Sequence, residues 1–497
     1  MTGSVRAARA CALLSAALVR PLVAQLPEAD DAFRHGNRAA ARVAYERVLA
    51  TDSLNVQALH RLAILDSWDG RFDRSLARFT RVRALAPHDA DIMVSEAAAL
   101  AFAHQYRRAE ALYDSVLAPS PRRADALAGR ARVVAWSGDL NRADQLWRGA
   151  LEVHPNDPEL LIGLAQTLYW GGHSALAQSY AARARALAPA DPTALELDRT
   201  LRAALRPEVE TEVDGAGDNE DNDFVSQEAS LTTSLGGDRR AALHAGWRHA
   251  TLGPSRGLSY GAGGSVSMSL GPEVGARMGL GVRRLEPGTG PPRTPLTGEL
   301  GLSIRPARYT TASLDYSRFA FDETAFLIER GFVIDALDLN VDVSPAGGWS
   351  VSGGGGGAWV SDGNSRYSAF ATVLAPVLPG LQVGPVARIM GFRSNPLDGY
   401  FAPDRFSVIE ARVVYAGQRA GWGVRADAGL GSQQVVSGAA HQREWHVGLT
   451  LSHSWGERNE LALIGTITNS AAATSTAGLR SDAFRFRALN LRLTQGL

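Results

Sequence analysis

The chain has 497 residues, enough for two to four domains at roughly 150 residues each. Its 51 basic side chains, all of them arginine, balance 51 acidic ones, so no basic excess points to nucleic acid. One cysteine, Cys11, excludes a disulfide framework and any multi-cysteine zinc site.

Residues 1–25 carry Arg6 and Arg9, an apolar stretch from Ala10 to Val19, and small residues up to Ala24. The pattern predicts a signal peptide cleaved near Ala24 or Gln25, although Arg20 and Pro21 interrupt the apolar stretch. Cys11 is expected to leave with it. No stretch reaches the ~18–20 apolar residues of a spanning helix, so export without a helical anchor is expected.

Residues 26–205 are periodic. Gly36, Gly70, His104, Gly138 and Gly172 stand 34 residues apart. Seven residues earlier come Ala29, Ala63, Ala97, Ala131 and Ala165, and five later Ala41, Ser75, Ala109, Ala143 and Ala177. Nine later come Tyr45, Phe79, Tyr113, Trp147 and Ala181, and seventeen later Ser53, Pro87, Pro121, Pro155 and Pro189. Small residues let two helices approach, the aromatic fills the gap to the next pair, glycine turns the chain and proline stops the second helix. The period closely resembles the tetratricopeptide repeat, and it predicts five helix pairs over about 22–190, or four with a partial cap where signal cleavage removes part of the first helix, with a solvating last helix at 192–205.

Two residues before each turn sit Arg34, Trp68, Phe102, Trp136 and Trp170. In the repeat family this position tends to line the concave side, and such stacks bind partners there. The four aromatics read either as a stacking track for sugar rings or as space-filling packing between repeats.

Residues 206–497 hold 42 of the 51 glycines and alternate with period two. Leu337, Leu339, Val341 and Val343 interleave with Asp338, Asn340 and Asp342, and Trp445, Val447, Leu449 and Leu451 with Glu444, His446, Gly448 and Thr450. That is the pattern of half-buried strands. Short turns are expected near 236–239, 271–272, 305–307, 345–348, 379–380, 417–420 and 456–458. Between them lie longer loops at 214–222, 250–257, 285–295, 320–329, 361–365, 394–404, 433–441 and 470–480. Strict alternation of turns and loops predicts sixteen antiparallel strands closed into an outer-membrane barrel, with both ends, and so the repeats, on the periplasmic side. The expected fold is therefore multidomain α + β, a helical solenoid followed by a transmembrane β-barrel.

Leu314, Tyr316, Ile409, Val413, Tyr415, Phe484 and Phe486 are expected to face outward. The lumen is expected to hold Arg277, Asp315, Asp338, Asp342, Glu410, Arg412, Arg425, Asp427, Arg485 and Arg487. Mixed signs suit a neutral or weakly charged hydrophilic solute.

This order of parts resembles the outer-membrane exopolysaccharide exporters, namely the cellulose synthase operon protein C and poly-N-acetylglucosamine porin families, and smaller YaiO-type barrels. Gly399-Tyr400-Phe401-Ala402-Pro403 looks like an element of the cellulose protein's barrel, and Asp362-Gly363-Asn364-Ser365-Arg366 like a loop segment of related barrels. Both fall on expected outside loops, where turn chemistry alone would also select such residues. The cellulose proteins carry many more repeats. The resemblance implies a polysaccharide substrate, outer-membrane lipid around the barrel, and periplasmic or inner-membrane synthase components as partners.

No zincin or Walker motif is present, and Gly353–Gly357 precedes Trp359 in a strand pattern, so it is no phosphate loop. No Gly-x-Ser-x-Gly elbow frames a nucleophile. Asp214, Asp218, Glu220, Asp221 and Asp223 form an acidic first loop, read as solvated rather than calcium-binding. No enzyme, cofactor or metal is expected. The sequence reads as a passive export pore for an extracellular polysaccharide. The rival reading is a non-conducting, membrane-anchored repeat scaffold for protein–protein interaction.

Overall fold

A computed structural model describes residues 25–236, 238–271, 273–307, 309–345, 347–395, 399–472 and 484–497. The expected signal peptide up to Ala24 and most of the expected 470–480 loop lie outside them. The chain divides into two compact units: one runs to Gly171 and takes in Ser179–Leu195, and the other joins Gly172–Gln178 to Glu196–Leu497.

The helices come in pairs: α1 (Gln25–Arg34) with α2 (Arg38–Thr51), α3 (Val56–Trp68) with α4 (Phe72–Leu85), α5 (Ala90–Phe102) with α6 (Tyr106–Leu117), α7 (Ala124–Trp136) with α8 (Leu140–Val153), and α9 (Pro158–Trp170) with α10 (Ser174–Leu187). A last helix, α11, spans Pro192–Leu205. From α1 to α9 each helix packs on the next, and α3, α5, α7 and α9 also pack in succession. The periodic residues explain why. The five turn positions, His104 included, all take positive φ, between 57° and 92°. Glycine adopts that region freely, and a side chain there is strained. Every alanine or serine at the two small positions is fully buried. Tyr45, Phe79, Tyr113 and Trp147 are buried as well. The rings of Tyr113 and Trp147 lie where a Cβ on Gly129 and Gly163 would stand, 2.3 Å away in each case, so a glycine in the next pair receives the ring of the pair before. Asn55, Asp89 and Asp157, spaced by 34 and 68 residues, cap the helices that follow them.

Between α4 and its neighbours, the carboxylate of Asp66 is wholly buried among Arg42, Arg71, Arg74 and Arg78. Buried charge is tolerated only when paired in this way.

The second unit is a closed barrel in which sixteen strands pair antiparallel in sequence order and β1 closes on β16. The strands are β1 (Glu208–Asp218), β2 (Asn222–Gly236), β3 (Arg239–Leu252), β4 (Ser255–Gly271), β5 (Val274–Pro287), β6 (Leu296–Ala307), β7 (Thr310–Ala320), β8 (Val333–Val343), β9 (Ser350–Val360), β10 (Ser365–Leu378), β11 (Leu381–Phe392), β12 (Phe406–Arg419), β13 (Trp422–Gln434), β14 (Gln442–Trp455), β15 (Asn459–Thr468) and β16 (Phe486–Gly496). The strand number is the one that alternating turns and loops predict.

Two expected loops are shorter than read. Residues 214–218 belong to β1 and 222 to β2, and the Asp218 carboxylate accepts the backbone N–H groups of Glu220 and Asn222 to close a tight turn. The five acidic residues of the supposed loop are therefore spread over two strands and a turn. Likewise Leu252 pairs with Ser255 across Gly253, whose φ is +55°, so the expected loop at 250–257 shrinks to the two-residue hairpin turn Gly253–Pro254.

Among the described residues, one short helix interrupts the barrel's connections. The loop between β7 and β8 carries α12 (Ala325–Arg330), capped by Thr324 and ended by Gly331 in the left-handed region.

Candidate functional site

Register sorts the barrel's side chains into two faces. Outward stand Leu243, Leu280, Leu300, Leu314, Leu337, Ile409, Leu449 and Leu491, all solvent-exposed. This apolar surface is bounded at both ends by aromatic side chains. At the short-turn end are Trp349, Trp422 and Trp455, with His453 between the last two at 4.5 and 6.0 Å. At the loop end are Trp247, Tyr260, Tyr316 and Trp359. Outward polar groups pair along the same rim: Tyr260 donates to Glu286, and Tyr316 and Arg318 donate to Asp335.

The inward face is polar, and several of its carboxylates meet arginines or amides. Arg277 lies 3.3 Å from Glu299 and 3.5 Å from Asp315. Arg412 holds Asp427 through two bonds of 2.7 and 2.8 Å. Asn490 donates to both Glu212 and Asp214. Asp338, next to Asp315 in the ladder, occupies the space where a Cβ on Gly356 would stand. This is what the glycine run of β9 does: Gly354 and Gly356 face inward and leave room for the side chains of β8. By strand phase Asp342 and Arg425 also face inward, Asp342 opposite Ser352 and Arg425 opposite Thr450.

Arg485 and Arg487 are not lumen residues. In β16 the exposed Leu489, Leu491 and Leu493 set the outward phase, and Arg487 shares it. Arg485 precedes the strand and lies 5.3 Å over the Trp445 ring on the outer face. Phe486 takes the inward phase and Phe484 is buried at the loop end, the reverse of the expectation. The Phe-Arg-Phe-Arg alternation begins before the strand, so its polarity did not set the phase.

The loop end of the lumen is packed. The loop after β7 turns inward, so that Ala325 and Ile328 of α12 meet Ala250 of β3 and Leu285 of β5. Phe321 and Leu327 join Tyr400 and Ala402 against Ile334, Ala336, Ala358 and Phe392, all buried. Phe401 packs with Phe406, Val408, Val435 and Ala471. The two elements singled out in the sequence meet here. The Tyr400 hydroxyl donates to Asp362 at 2.7 Å and accepts from Asn364 at 2.8 Å. Gly399 has φ of +87°, and a Cβ there would stand 1.9 Å from the Phe326 ring. Pro403 offers its carbonyl to Phe392 N–H at 2.8 Å. Beneath this layer Asp322 accepts from Arg248 at 3.3 Å and from Arg283 at 2.8 Å. None of these inward loop contacts was read from the sequence, where Phe321 and Leu327 fell in an expected loop and Tyr400 in an element singled out only for its resemblance.

In the helical unit Trp68, Phe102 and Trp170 are 44, 42 and 41% exposed, and Trp136 is half-buried. They do not form one even ladder. Trp68 stacks on Phe33 at 5.4 Å, and Phe102 on Trp136 at 5.6 Å. The first pair thus contributes Phe33, one residue before Arg34. Arg38 and Arg61 lie over Trp68 and Phe33.

No protein-family model matches the chain, and no curated protein matches it. Among solved structures, a bacterial polysaccharide outer membrane secretin covers 59% of this chain and 99% of its own, at 12% identity and a TM-score of 0.47. A thermophilic tetratricopeptide-repeat protein from Thermus thermophilus covers 37% of this chain and 98% of its own, at 22% identity and a TM-score of 0.34. A tetratricopeptide-repeat protein from Parabacteroides merdae covers 37% of this chain and 72% of its own, at 17% identity and a TM-score of 0.34.

Proposed function

We propose that the chain is an outer-membrane pore that passes a hydrophilic polymer, a polysaccharide by its hydrogen-bonding lumen, with a tetratricopeptide solenoid in the periplasm that receives the polymer or docks synthase components. The carrying observation is the barrel's two faces. Trp349 and Trp359 lie at opposite rims of one strand. Ten residues of strand at ~3.3 Å each, tilted by ~40°, separate them by about 25 Å along the barrel axis, the height of a bacterial outer-membrane apolar band. Sixteen strands enclose an aqueous channel where eight would be filled by side chains. A lumen of carboxylates, arginines and amides presents hydrogen-bond donors and acceptors, which suits a hydroxyl-rich chain. The exposed rings of Trp68, Phe102 and Trp170 suit stacking on sugar faces. The roles are passive: the barrel conducts, the repeats organise, and synthesis drives transport.

The packed loop end favours a second reading, in which the barrel anchors a repeat scaffold and conducts nothing. Conductance of the purified protein in a planar bilayer separates the two. An export pore with a displaceable mouth shows small or rare openings in the native chain and large steady ones when residues 321–332 are replaced by a short glycine–serine linker. A barrel that stays silent in both forms overturns the pore.

A further inference from the structure

Three neighbouring strands bring charged side chains together at one place on the lumen wall. In register, Glu410 of β12 stands beside Gly431 of β13, which stands beside Glu444 of β14. One step along, Arg412, Gly429 and His446 are aligned in the same way. The middle strand offers glycine at both levels, so side chains from strands two apart meet across it. A Cβ on Gly429 would stand 2.3 Å from the His446 ring and 2.6 Å from Glu410 Oε2.

One carboxylate oxygen from each glutamate and a ring nitrogen of His446 all lie within 4.8 Å of one another. The side chains of Glu410 and Glu444 are 1 and 0% exposed, and that of His446 14%. Glu444 Oε1 takes a bond from Arg388 at 3.1 Å, Glu444 Oε2 is buried without a hydrogen-bond donor, and Glu410 Oε2 has Arg388 no nearer than 3.9 Å. His446 Nε2 lies 2.9 Å from Asp427 Oδ1, and its Nδ1 lies 3.1 Å from Glu410 Oε2. A neutral imidazole that donates from Nε2 to Asp427 turns the Nδ1 lone pair toward Glu410. Three lone-pair donors then converge on one point. With three carboxylates against Arg388 and Arg412, the cluster carries one negative charge beyond its arginines. Acceptors that face one another in a dry wall call for a cation or a proton between them.

We propose that Glu410, Glu444 and His446 bind a first-row divalent cation of the zinc class in the lumen wall. One imidazole and two carboxylates are ligands such ions take, and three protein ligands leave one position open to the lumen. Asp427 is the positioning residue: its bond to Nε2 fixes the tautomer that presents Nδ1, the usual arrangement behind a metal-bound histidine. Arg412, paired with Asp427, holds that carboxylate in turn.

The test uses the full chain in detergent, stripped with a chelator and then titrated with zinc alone. Bound metal is counted by elemental analysis, and cobalt(II) serves as a coloured substitute. The expected result is one zinc per chain and a raised unfolding temperature. Glu444→Gln and His446→Gln, which keep shape and remove a ligand, lose the stoichiometric zinc. Asp427→Asn retains it with affinity about ten- to a hundredfold lower. Glu299→Gln, elsewhere on the inward face, binds like the native chain. Heat-dependent mobility on a gel shows that each variant has folded, and the cobalt spectrum of the native chain reports the ligand set without any variant. If the native chain holds no more zinc than Glu444→Gln, the proposal fails, and a proton holds the carboxylates together instead. It also fails if Glu299→Gln loses the metal equally.

Discussion

Leu280 in the barrel and Leu54 in the helical unit are 74 and 59% exposed, and they mean different things. Leu54 is one apolar side chain in a link between helices whose neighbours Asp52, Ser53 and Asn55 are polar. Scattered exposure of that kind is normal in water. Leu280 belongs to a continuous band, with Met278 and Val282 on its own strand and Leu300 and Leu302 on the next. A monomer in water does not sustain so large an apolar surface. The helical unit puts its periodic alanines and rings inside, whereas the barrel turns its leucines out and keeps its charges in. One chain therefore carries two opposite solutions to the burial of apolar area, one for water and one for lipid.

The contrast can be broken most forcefully inside the helices. Trp147 fills the hollow left by Gly163, so Trp147→Ala is expected to cost ~3–5 kcal/mol of helical stability. Far-UV circular dichroism at 222 nm reads the helices over the barrel, and an unchanged melt would mean that the ring is not a core element.

Next in size is the matched pair of surface leucines. Leu280→Arg is expected to destabilise the folded barrel by ~2–4 kcal/mol in lipid, as a charge at mid-band does. Leu54→Arg should change stability by no more than about 0.5 kcal/mol. Denaturant titrations in vesicles measure both, and equal effects would erase the distinction between the two surfaces.

Smaller still is the turn at His104, which takes a positive φ that the other four turns give to glycine. His104→Gly is expected to stabilise the repeats by about 0.5–1 kcal/mol, seen as a higher helical melting temperature. Loss of the His104–Tyr106 contact is the opposing term, and a lowered melting temperature would show that it dominates.

The smallest effect is a pH dependence. His60 packs edge-on against Phe79, and burial, helped by Arg61, holds its imidazole below the ordinary range. The unfolded chain therefore takes up this proton first. The stability it confers is present above about pH 6.5 and is lost as pH falls through the lower folded value. Helical melting temperature should drop between pH 7 and 5, and His60→Phe should flatten the drop. Identical profiles would exclude His60 as the source.

Much of this was legible from spacing, because spacing reflects geometry. Ala63, Ser75 and Phe79 recur because helices of one length meet at one distance, and alternating turns and loops count strands directly. What stayed hidden depends on phase or on contacts between remote segments. The leucines of β16, rather than Phe484 and Phe486, set its phase, and a short alternating stretch at a strand's edge does not say where the strand begins. Phe33 stands one residue off the period, which a fixed offset misses. Tyr400 and Asp362 belong to different loops, and only the fold shows that they meet. Glu410 and Glu444 come together because Gly431 lies between their strands. The alternating glycines of β13 were the available signal.

The pairing of β1 with β16 has a consequence for assembly. It joins Glu208 to Gly496 and runs for eleven residue pairs, and every one of them spans most of the second unit's length. From α1 to α9 the helices pack on near neighbours in sequence, so each pair can form soon after it is synthesised. The barrel's last hydrogen bonds cannot form until its final strand exists. Until then both edge strands expose unpaired backbone groups, a template for any other strand. The half-made barrel is thus the aggregation-prone species of this chain, and its lifetime is set by how quickly two strands almost three hundred residues apart find each other.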